Sequence, residues 1–110
     1  MLKILFYRYK ENTVLHTINK SPFEKNSLED CTRFLNPDDV VLLYEDAVYA
    51  AAPNTQKSEL TKHIMKSNKI VAMEADLKAR GISDLIEGIE IIDYDKFVEL
   101  VEEHKVQAWL

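Results

Sequence analysis

A chain of 110 residues is the size of one ordinary domain, long enough to bury a core without staples. With 46% hydrophobic and 30% charged residues, two Gly and three Pro, it is neither disordered, collagenous nor low-complexity. A net charge of -5 argues against a protein that grips a phosphate backbone alone, and a single Cys excludes an internal disulfide framework.

No apolar run approaches the ~20 residues of a bilayer span. Met1 to Tyr9 carry Lys3 and Arg8 among apolar residues, too interrupted for a signal-peptide core. The expectation is one domain over residues 1–110, cytoplasmic, with no membrane association and no direct nucleic-acid binding.

Leu2 to Phe6 either extend the first strand or form one of their own. Val14 to Ile18, short and β-branched before the Asn19-Lys20-Ser21-Pro22 turn cluster, read as a strand. Ser27 and Asp30 have capping-box spacing, and Leu28, Cys31, Phe34 and Leu35 form an apolar stripe behind them, so a helix is expected up to Asn36-Pro37. Asp39 to Tyr44 is a continuous apolar run, the mark of a strand covered on both faces. Ala47 to Ala52 continue helically to Pro53, and Ser58 to Met65 form a further helix. Lys69 to Met73 is a second buried strand. Asp76 to Arg80 is a short helix ended by Gly81, a common site for a left-handed cap. Ile89 to Ile92 is the last expected strand, and Asp93 caps a helix with Phe97, Leu100 and Val101 on one face. The tail Val106 to Leu110 is apolar.

Strands alternating with helices imply βαβ units. The expected architecture is a single-domain three-layer αβα sandwich with a mostly parallel sheet. A site belongs at the carboxyl ends of the strands, in the loops beginning at Asn19, Glu45, Glu74 and Asp93.

The only glycines are Gly81 and Gly88, so no phosphate-cradling fingerprint is present. His16, His63 and His104 lie far apart with no second ligand at metal spacing; no metal and no cofactor are expected. Glu45 and Asp46 could serve acid–base chemistry, though adjacent acids at a strand end more often cap it. Cys31 has two readings. Near a helix N-terminus its thiolate gains from the dipole, making it a candidate persulfide acceptor; on an apolar stripe beside Glu29 and Asp30 it is a small buried hydrophobe. A lone Cys cannot resolve a persulfide within its own chain, so any transfer would run between proteins. Trp109, with Val106 and Leu110, is either a tail folded on its own core or an aromatic anchor at an interface. Ten acids against three bases from Glu74 to Glu103, and four Lys against Glu59 from Lys57 to Lys69, are either solvated helix faces or complementary docking surfaces.

Several segments together resemble the DsrH/TusB family. They are Leu15 to Glu29 (Leu-His-Thr-Ile-Asn-Lys-Ser-Pro-Phe onward), Leu42 to Ala51 around Tyr44-Glu45-Asp46, Asp76 to Gly81, Ile92-Asp93-Tyr94, Phe97-Val98 and the closing Gln107-Ala108-Trp109-Leu110. The similarity runs over about residues 14 to 110. Residues 1–13 stand apart as an atypical N-terminal extension, and Ala47 replaces the usual Gly after Glu-Asp.

The resemblance implies a non-catalytic or auxiliary subunit of a heterohexameric sulfurtransferase complex relaying persulfide sulfur. Its partners would be two paralogous small subunits, DsrE/TusD-like and DsrF/TusC-like, and a DsrC/TusE-type sulfur carrier, with the main sulfur-bearing Cys on a partner chain. In the DsrEFH branch such a complex serves intracellular sulfur oxidation; in the TusBCD branch it serves 2-thiolation of the tRNA wobble uridine. A Cys at the position of Cys31 and the Asn-Lys-Ser-Pro-Phe run favour the DsrH side. A pure scaffold with no sulfur chemistry of its own is the further alternative, and a hydrolase using Glu45 or Asp46 is poorly supported.

Overall fold

The structure is a computed structural model and describes residues 13–110; the expectation for Leu2 to Phe6 lies outside the described residues. Among the described residues five parallel strands form one sheet: β1 (Val14–Ile18), β2 (Val40–Leu43), β3 (Lys69–Met73), β4 (Glu90–Ile92) and β5 (Lys105–Trp109). Their order is β4-β3-β2-β1-β5. The connecting helices are α1 (Ser27–Cys31), α2 (Ser58–Met65), α3 (Glu74–Ala79) and α4 (Tyr94–Glu103), with 3-10 turns at Thr32–Phe34 and Glu45–Ala51.

Side-chain alternation sorts the strands into two faces. Ile18, Val41, Leu43, Ile70 and Ala72 pack against Leu28, Val48, Ile64 and Leu77 on one face. Leu15, Val40, Leu42, Val71 and Ile92 pack against Leu100 and Phe97 of α4 on the other. Topology explains the asymmetry. Three crossovers step β1→β2→β3→β4 in one direction, and right-handedness puts their helices on one face; the return from β4 to β5 puts α4 alone on the other. The expected three-layer αβα sandwich is therefore present, with unequal outer layers.

Three local expectations are revised. Ser27 is the first residue of α1 rather than its cap, and neither Asn26 nor any other side chain caps that end. The helix keeps its α form for five residues and tightens into the 3-10 turn, leaving Phe34 60% exposed. Ile89 to Ile92 is not the last strand: the tail pairs with β1, Leu15 opposite Val106 and Ile18 opposite Trp109.

Other signals act as read. Asp93 Oδ1 accepts the Lys96 amide at 2.9 Å and caps α4. Gly81, at φ 67°, ends α3: its amide bonds to Lys78 O, and the Ile82 amide to Leu77 O, the paired bonds of a Schellman cap.

Candidate functional site

At the carboxyl edge of the sheet, Asn19 follows β1 and its Nδ2 donates to Glu45 Oε1 at 3.2 Å. The Asn19 Oδ1 is buried and meets no partner among the described residues. Glu45 takes a left-handed φ of 50° as the chain turns out of β2, so the turn is shaped there rather than at Ala47, which is fully buried in the following 3-10 turn. Asp46 Oδ1 accepts from Arg80 Nε and Nη2, each at 2.9 Å, and Arg80 also reaches Asp76. The guanidinium thus ties the Glu45–Ala51 turn to α3. Among the described residues neither acid has a histidine partner in its hydrogen bonds and ion pairs.

The connections out of β3 and β4 leave toward opposite faces, which opens a crevice at neighbouring strand ends. A cleft of about 370 Å³ lies at this edge on the α4 side, between Thr17, Leu42, Tyr44, Met73, Tyr94 and Phe97. Burial raises the Tyr44 phenol above its ordinary value, and the neighbouring Glu45 charge adds to the effect.

Cys31 is elsewhere. It is the last residue of α1, at the helix end where the dipole opposes a thiolate, and its side chain is fully buried between Leu28 and the sheet. Burial, helped by the negative charge of Asp39, pushes the thiol up to about 12. Such a sulfur is protonated and shielded at neutral pH, the reverse of a reactive cysteine.

On the same face a polar cluster joins β5, β1 and the residue that leads into β2. Trp109 Nε1–H donates to His16 Nδ1 at 3.0 Å. Because an indole nitrogen only donates, Nδ1 accepts, and the ring proton sits on Nε2, which donates to Asp39 Oδ2 at 3.0 Å. Asp39 also accepts the Val14 amide at 2.9 Å and the Asn36 amide at 3.0 Å. Burial by itself would raise the Asp39 carboxyl, but the Asn36 amide, the His16 ring and the Val14 amide together hold it below its usual range. His16 and Asp39 are 3% and 1% exposed.

The chain sequence marks Trp109 but does not link it to His16 or, through His16, to Asp39, which lie 93 and 70 positions away. Val106 and Leu110, the other two expected interface residues, are 49% and 76% exposed. The charged stretches are largely outward-facing, and Lys62 and Lys69 already meet Glu59 and Glu90 at 3.6 and 2.7 Å.

The family model described as DsrH like protein matches residues 20–107. The chain belongs to the DsrH/TusB family. Curated relatives carry the other of its two names. "Protein TusB" of Buchnera aphidicola subsp. Baizongia pistaciae is 35% identical over 98 residues, 87% of this chain and 100% of that protein. "Protein TusB" of Pectobacterium parmentieri is 30% identical over 99 residues, again 87% and 100%. The matches carry both names and do not resolve the expected lean toward DsrH. Among solved structures, the YchN protein of E. coli superposes with a TM-score of 0.68 at 17% identity, over 87% of this chain and 97% of that one. A protein of unknown function from Methanobacterium thermoautotrophicum gives 0.66 at 15%, over 87% and 96%. At such identities these two speak for the DsrH/TusB chain's fold alone.

Proposed function

We propose that this chain is a TusB-type subunit of a persulfide relay that delivers sulfur for 2-thiolation of the tRNA wobble uridine, and that it organises the complex without carrying sulfur. One observation carries the reading: the end-to-end match to proteins named TusB, 35% identical over the whole length of the first. The carrier role falls to a partner chain because the sole cysteine here is fully buried with its thiol pushed up to about 12. The exposed edge of β5, with Val106 and Leu110 outward, is the proposed contact with paralogous DsrE/TusD-like and DsrF/TusC-like subunits, a DsrC/TusE-type carrier completing the relay.

The test is nucleoside analysis of tRNA from cells lacking the gene. Loss of 2-thiouridine, restored equally by the wild-type gene and by Cys31→Ser, is the expected result. Unchanged 2-thiouridine on deletion would overturn the tRNA reading, leaving DsrEFH-type sulfur oxidation as the alternative. Failure of Cys31→Ser alone would return Cys31 to the position of a persulfide acceptor.

A further inference from the structure

We propose that β5 is a releasable strap, fastened by the indole of Trp109 on His16, and that its lifting bares a preoriented imidazole backed by Asp39. The inference is independent of any sulfur chemistry and concerns the chain before partner subunits take up its β5 edge. Three observations carry it.

The strap is held by backbone pairing with little side-chain burial. Among the described residues β5 is an edge strand paired only with β1, and of its five residues Lys105 to Ala108 are exposed while Trp109 alone is partly buried. The strands it extends are otherwise: β2 is buried throughout its length. Opening free energies within one fold follow buried apolar contact, so β5 belongs at the low end.

Its fastening is specific. The Trp109 ring lies 5.5 Å from that of Phe34, which is itself 60% exposed, and its Nε1–H meets the one nitrogen of His16 not already engaged. Without that bond the Nδ1 lone pair loses its donor, so a part-buried hydrogen bond adds to the five-residue pairing of β5 with β1 in favouring the closed position.

What lies beneath is organised. Asp39 is fixed by two backbone amides and holds the proton of His16 on Nε2, so the free lone pair on Nδ1 is aimed at the indole. His16 itself lines a cavity of about 330 Å³ together with Val14, Phe34, Gln107 and Trp109. A carboxylate behind one ring nitrogen leaves the other a directed proton acceptor or ligand. With Trp109 lifted, the His16 Nδ1 lone pair opens to that space; with Trp109 down, it is capped.

Two measurements on the full chain test this. Amide hydrogen exchange on the wild type should show Lys105 to Trp109 opening at least about tenfold more readily than β2 and β3, and Trp109→Phe, which keeps the ring and deletes the donor, should speed β5 a further fivefold or so while sparing β2. Acylation by diethyl pyrocarbonate, read at His16 by peptide mass spectrometry, should rise in the same variant by a similar factor, with exposed His63 as the internal standard. Wild-type β5 as protected as β2 would overturn the strap. So would a folded Trp109→Phe whose β5 exchange and His16 acylation match the wild type.

Discussion

His16 Nε2 donates to Asp39 Oδ2 across 3.0 Å, joining β1 to the residue that leads into β2. The carboxylate also receives the Asn36 and Val14 amides, so one buried side chain satisfies three donors at the amino end of the sheet. Asp39→Ala would strand all three. Removing one member of a buried charged cluster costs about 3–5 kcal/mol, and urea unfolding should show a loss in that range. Asp39→Asn, which keeps an acceptor oxygen, should lose less.

The same carboxyl sets an acid limit. Its folded value lies below the unfolded one, so its stabilisation is present above the ordinary carboxylate range and drains away as pH falls through the folded value. Urea midpoints taken from pH 7 down to pH 2.5 should fall for the wild type, and Asp39→Asn should flatten that slope below about pH 4. Identical slopes would deny Asp39 this role.

At the alkaline end Cys31 contributes alongside the raised Tyr44 phenol. With the thiol pushed up to about 12 in the fold, stability should be full below the unfolded thiol value near 9 and decline between 9 and 12. At pH 8 the native thiolate fraction is about a thousandfold below that of an unfolded cysteine. Iodoacetamide should therefore label Cys31 far more slowly in buffer than in denaturant. Comparable rates would mean an accessible thiolate and would reopen its candidacy as a sulfur acceptor.

Much of this arrangement was legible in the chain. β1, α2 and β3 fall where their apolar patterns put them, because each is bounded by turn residues and buried by its neighbours. β5 was not legible as a strand. Only His104 separates it from α4, and an edge strand with Lys105 to Ala108 exposed lacks the continuous apolar run by which β2 announces itself. α1 was overestimated because the stripe Leu28-Cys31-Phe34-Leu35 continues into a 3-10 turn that swings Phe34 outward. The His16–Asp39–Trp109 cluster was invisible for a different reason. Its members sit 23 and 93 positions from His16 and meet only through the parallel pairing of β1 with β2 and β5.

The exposed side of β5 should matter to assembly and little to folding. Val106 is half exposed, so Val106→Asp should move the unfolding midpoint by no more than the ~0.5 kcal/mol typical of surface changes. In co-expressed complexes, light scattering after size exclusion should show that variant dissociating from its partners. An intact complex would remove the β5 edge from the interface.

The most direct test of the central claim, that this chain is one subunit of a sulfur-relay complex, is affinity purification of the tagged full chain from its native cells with mass spectrometry of what accompanies it. The account predicts two small paralogous chains in equal amounts, with a TusE-type carrier and a tRNA thiolase. Recovery of the chain with no small paralogue would contradict it.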